Sequence, residues 1–100
     1  MKKIPVFYHS FRHKRYPIIE LDKKAKDRLG QCDSPTTKNK MIEIPIGHSK
    51  ASLEVQVHEA IHACLFDLDE TTVEEISGDI SNFLWKLGWR NVSVLKGEKV

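Results

Sequence analysis

Near Lys50 the hydrophobic pattern of this chain changes period, and any fold that buries its apolar residues has to respect that change. Before it, apolar residues come in short β-branched and aromatic runs, Ile4 to Tyr8, Tyr16 to Leu21 and Met41 to Ile46, which predict strands. After it, Leu53, Val57, Ala60, Ile61, Cys64 and Leu65 recur at helical spacing over residues 50–66. A second set follows at Val73, Ile76, Ile80, Phe83, Leu84 and Leu87, again one stripe of a helix. Asp67-Leu68-Asp69 separates the two, with Asp69 as the N-cap of the second helix and Leu68 placed to staple against Val73. Gly88 is expected at C′, with Trp89 folding back on Leu84. Together these predict an α+β fold, a small sheet packed on two main helices.

Smaller features fill in the first half. Leu21, Ala25 and Leu29 suggest a short helix closed by Gly30, and residues 31–40 have the composition of a loop. In Met41 to Ile46, the isoleucines at 42, 44 and 46 share a face. Pro45 cannot donate to a ladder, so this segment is expected at a sheet edge. Asn91 to Leu95 is a candidate last strand.

A chain of 100 residues supports one modest core, so 1–100 is read as a single domain with 1–15 peripheral to it. Apolar residues are 40% and charged residues 30% of the total, which excludes a disordered chain. No apolar run reaches the roughly 20 residues of a membrane span, and the basic start lacks the apolar stretch of a secretory signal. A cytoplasmic location is therefore expected, with no membrane partner. Cys32 and Cys64 are too few for a disulfide framework and read as buried or half-buried thiols. Arg12 to Arg15 form a basic run, but the net charge is only +2. Solvated surface is the simpler reading, and nucleic acid is not an expected partner.

The chemistry concentrates in His58-Glu59-Ala60-Ile61-His62. Residues four apart stack on one helix face, so two imidazoles can share one zinc ion. Glu59 is rotated by about 100°, outside the ligand positions yet within reach of a water beside the ion, where it can act as general base. Catalytic zinc sites usually take three protein ligands and keep a fourth position open, so a third ligand has to come from elsewhere. The second helix offers Glu74, Glu75 and Asp79. Glu74 shares a stripe with the small residues Ser77, Gly78 and Ser81, which would let another helix approach, so it is preferred. Glu75 and Asp79 form an i, i+4 pair more suited to solvent. His9, His13 and His48 read as surface residues, Trp85 and Trp89 as core anchors, and Tyr8 and Tyr16 as possible oxyanion donors.

The stretch VHEAIHACLFDLDETTVEEISGDISNFLWKLGWR resembles the zincin metallopeptidases of glutamate-ligand type, and within them small phage and bacterial proteins related to the ImmA/IrrE and SprT-like families. In ImmA/IrrE proteins a helix after HExxH begins with the glutamate that completes the zinc site. Glu74 to Ser81 fits that helix, with Ser77 and Ser81 for alanines, Ile80 for phenylalanine and Gly78 for asparagine, and with a shorter gap from His62. The upstream LGQCDSPTTKNKMIEIPI resembles the hairpin that precedes the active-site helix. The resemblance implies a minimal zincin-like domain with Zn2+ on His58, His62 and Glu74 between two helices, and Glu59 as catalytic base. It also implies a metallopeptidase whose protein or peptide substrate docks in extended form on edge strand 41–46. A second expectation, from the small size, is a non-catalytic zinc protein of phage type that binds a host protein, with His48 or His9 as a closing fourth ligand.

Overall fold

A computed structural model describes residues 4–21 and 30–92 of the chain. Four strands, β1 (Phe7–Phe11), β2 (Lys14–Glu20), β3 (Gln31–Cys32) and β4 (Ile42–Ile44), precede two helices, α1 (Lys50–Cys64) and α2 (Glu70–Leu87). The sheet is mixed, in the order β1-β2-β4-β3, with β2 and β4 parallel and the outer pairs antiparallel. α1 packs against the sheet, and among the described elements α2 packs against α1 alone. The result is three layers with α1 in the middle, the expected α+β class.

Beneath α1, Tyr16, Ile18, Ile42 and Ala63 form a buried cluster, with Phe11, Cys32 and Ile44 against it. Tyr16 is fully buried, edge-on to Phe11, and its hydroxyl donates to the Asp33 carbonyl. Burial, with Cys32 and Asp33 nearby, pushes its pKa to about 12. The β1–β2 hairpin turns on Arg12 and His13, both at positive φ (49° and 70°), the twist that a two-residue hairpin turn demands. Arg12 reaches from this turn to the carbonyl of Cys64, 3.1 Å away, and so ties the hairpin to the C-terminal end of α1.

Several expectations require correction. The segment over 41–46 is not an edge strand. β4 stops at Ile44, one residue before Pro45, so the missing donor lies outside the ladder and both sides of the strand can pair. Among the described strands the edge on that side is β3, formed from residues that composition alone placed in a loop. Trp89 is 63% exposed and anchors no core, and the Trp85 ring is covered by the Arg90 guanidinium at 3.3 Å. On α2, Val73 is buried with Ser77 and Ser81, whereas Ile80, Phe83 and Leu87 are exposed. The cysteines are free and half-buried, as expected. The short helix after Leu21 lies outside the described residues, as does most of 91–95. No helix among the described residues is long and apolar enough to cross a membrane.

Both helices are capped by their own sequence. Ser49 accepts from the Ser52 amide at the start of α1, and Asp69 from the Thr72 amide at the start of α2. Gly88 is left-handed (φ 98°), and the Gly88 and Trp89 amides bond to the Trp85 and Leu84 carbonyls, the two bonds of a Schellman motif. The Thr72 hydroxyl and amide both donate to Asp69 and lower its pKa. A carboxylate whose folded pKa is depressed adds stability above its unfolded pKa, and that stability disappears as pH falls through the folded value. Asp69→Asn keeps a capping oxygen but has no charge to lose. The thermal midpoint of the wild type should therefore exceed that of Asp69→Asn at neutral pH, with the gap closing on acidification, as followed by circular dichroism.

Candidate metal centre

The site starts from where α1 ends. Leu65 closes the helix with its amide on the Ile61 carbonyl, and Leu68 bonds back to Leu65. Asp69 then caps α2 at once, so the chain reverses within residues 65–69 and the first turn of α2 lies beside the last turn of α1. His62 is in that last turn, and His58 lies one turn below it.

Their Nε2 atoms are 3.1 Å apart, with the ring centroids at 4.8 Å. The carboxylate of Glu70, the first residue of α2, reaches across both: Oε1 is 2.7 Å from His58 Nε2 and Oε2 is 3.1 Å from His62 Nε2. The ligand atoms of the three residues all lie within 4.8 Å of one another. The preferred third ligand, Glu74, is not in this group. It lines the same cleft one turn further along α2, while Glu75 and Asp79 are exposed. The connection is so short that the carboxylate level with the histidines is at the start of α2. Sequence reasoning passed over Glu70, although Asp69 as N-cap already put it in the first turn, next to His62.

His58 is oriented from behind. Its Nδ1 faces the hydroxyl of Ser77 at 3.5 Å, and that hydroxyl donates to the Glu74 carbonyl at 3.1 Å. With its one proton committed there, Ser77 Oγ is left to accept from His58 Nδ1–H. The Nε2 lone pair then points at Glu70 and His62. Three electron-pair donors facing one point repel unless a shared proton or a metal cation sits among them. Two nitrogens on one zinc at about 2.05 Å in tetrahedral geometry are about 3.3 Å apart, close to the 3.1 Å found here. The donor set and its spacing fit a small divalent ion, and His58, His62 and Glu70 would hold it. His9, His13 and His48 are exposed and outside the group.

These donors form one wall of a cleft of about 1080 Å³ between α1, the start of α2 and the edge strand β3. Glu59 lines it too, only 7% exposed. Burial is the main reason its pKa rises to about 7, His58 pulling the other way and Glu70 adding to the rise. A carboxyl group that titrates near neutral pH can both accept and return a proton. Gly30 presses against it: a Cβ there would come within 2.7 Å of Val55 Cγ1 and 3.2 Å of Glu59 Cγ, so any side chain at this point would force its neighbours to shift. Burial and the neighbouring carboxylate of Glu59 raise the Cys32 thiol to about 12, which keeps it protonated. Tyr8 and Tyr16 do not line the cleft. Tyr8 lies under Arg15 on the β1–β2 hairpin, so neither is placed as an oxyanion donor.

Purified without chelator, the wild type and Glu59→Gln should each carry one divalent metal ion by elemental analysis. His58→Ala, His62→Ala and Glu70→Ala should carry none, and Glu74→Ala should keep it. Ser77→Ala should weaken metal affinity by roughly 10–100-fold, the usual cost of losing a group that orients a ligand. Comparison with protein-family models, with curated proteins and with solved structures finds no match to this chain.

Proposed function

We propose that this protein is a zinc-dependent peptidase in which His58, His62 and Glu70 hold the metal and Glu59 is the general base. The observation that carries the proposal is the placement of Glu59. Its carboxyl group lies in the wall of the same open cleft as the three donors, without being one of them. Zinc held by these donors would supply Lewis acidity toward a water molecule and a peptide carbonyl.

The rest is done by the chain. The Glu59 carboxylate takes the proton from the attacking water and returns it to the leaving amine nitrogen. Its burial excludes the bulk water that would otherwise compete for that proton. Ser77 holds His58 in the tautomer that offers Nε2. β3, the outermost of the described strands on that side, borders the cleft beside Glu59, and a sheet edge is a place where an extended peptide can add as a further strand. In this reading β3 takes the docking role that the sequence suggested for 41–46. The non-catalytic alternative needs a closed site of four protein ligands, and among the described residues no fourth His, Cys, Asp or Glu joins the group.

The test is hydrolysis of a fluorogenic peptide library and of unfolded casein by zinc-loaded protein. Activity should disappear with chelator and return with zinc. Glu59→Gln should retain its zinc and lose about 100-fold or more in rate, the range over which a general base contributes. If the zinc-loaded mutant cleaves as fast as the wild type, Glu59 is not the base and the mechanism fails.

A further inference from the structure

The flank of α2 turned about 90° from the side that meets α1 is apolar, exposed from Ile80 onward, and without a partner among the described elements. Ile80, Phe83 and Leu87 are 40%, 63% and 60% exposed, and with Ile76 they occupy about 60° of the helix circumference at 100° per residue. A helix that only had to cover α1 would have no use for an apolar stripe that runs this far round from Val73. Scattered apolar residues on a surface need no explanation, but a continuous row along one helix does.

The charges beside the row say what covers it. Glu75, Asp79 and Lys86 are exposed and lie on one flank of the stripe, within about 80° of Phe83. The acids are in the N-terminal half of the helix and the lysine is in the C-terminal half. When two such helices pair antiparallel about a two-fold axis, each flank meets the same flank of its partner. Centring the pair on the stripe places Ile76 opposite Leu87 and Ile80 opposite Phe83. In that register Lys86 of one copy falls between Glu75 and Asp79 of the other, twice by symmetry. We infer that α2 pairs antiparallel with α2 of a second copy of this chain through Ile76, Ile80, Phe83 and Leu87, with Lys86 answering Glu75 and Asp79.

Glu70 and Glu74 lie on the far side of α2, so this pairing leaves the metal cleft open and is independent of the peptidase reading. Residues 93–100 or an unrelated protein could otherwise cover the stripe, and both would leave the chain monomeric on its own.

Sedimentation equilibrium of the full chain from the micromolar to the millimolar range separates these cases. The wild type should dimerise. Phe83→Glu should be monomeric with an unchanged helical circular dichroism signal, since Phe83 is exposed and its replacement leaves the core intact. Lys86→Glu should weaken the dimer on the order of tenfold, equal to about 1.4 kcal/mol, by setting like charges opposite one another. The combined Glu75→Lys, Asp79→Lys and Lys86→Glu protein should recover wild-type affinity. A wild type that stays monomeric at millimolar concentration, a dimer indifferent to Phe83→Glu, or a reversed-charge protein that fails to recover would each overturn the inference.

Discussion

α1 is the only described element that touches both the sheet and α2, and its two neighbours make different demands. Toward the sheet it places Ala63 on the cluster around Tyr16, Ile18 and Ile42. Toward α2 it meets Val73, Ser77 and Ser81, all essentially buried. Serine at two of those three positions keeps the α2 surface low. The second helix can then come close enough for Ser77 to reach the ring of His58 and for Glu70 to span both histidines. A larger side chain at 77 or 81 would force the helices apart, and the three donors would no longer converge.

That packing also determines the electrostatics. Glu59 lies on the side of α1 that faces β3 and Gly30, so it is desolvated, while His58 and His62 open onto the cleft. One helix thereby holds a buried carboxyl group and two accessible imidazoles within five consecutive residues. The buried carboxyl is raised toward neutrality, and the imidazoles are arranged as donors. The hairpin tip contributes from the other side, where Arg12 satisfies the Cys64 carbonyl at the end of α1 and so complements the negative end of the helix.

Much of this was legible in the chain as written. The change from period 2 to period 3.6 near Lys50, the cap at Asp69, the Schellman end at Gly88 and the pairing of His58 with His62 are local properties. They depend on a residue and its neighbours three or four places away, and the structure agrees with each. The small stripe of Ser77, Gly78 and Ser81 was equally visible as a surface made for close approach. Pro45 misled because its effect reaches only its own position. It ends β4, yet it does not decide which side of the sheet β4 occupies.

Strand order, the third donor and the inside of α2 were decided by the tertiary structure alone. β3 is only two residues long, too short for any pattern, and it exists because β4 has an open side for it to pair with. Glu70, Glu74, Glu75 and Asp79 are alike as residues. Which of them reaches the histidines depends on how tightly residues 65–69 turn, a distance in space that no spacing in the chain encodes. Likewise an apolar stripe on a helix announces that something must cover it, but not what. Val73 found α1, while Ile80, Phe83 and Leu87 did not, because one helix presents only one side to a single neighbour. The sequence by itself determined where the helices lie and that His58 and His62 share one face of the first. The packing of α1 between the sheet and α2 decided which carboxylates joined them and in what state.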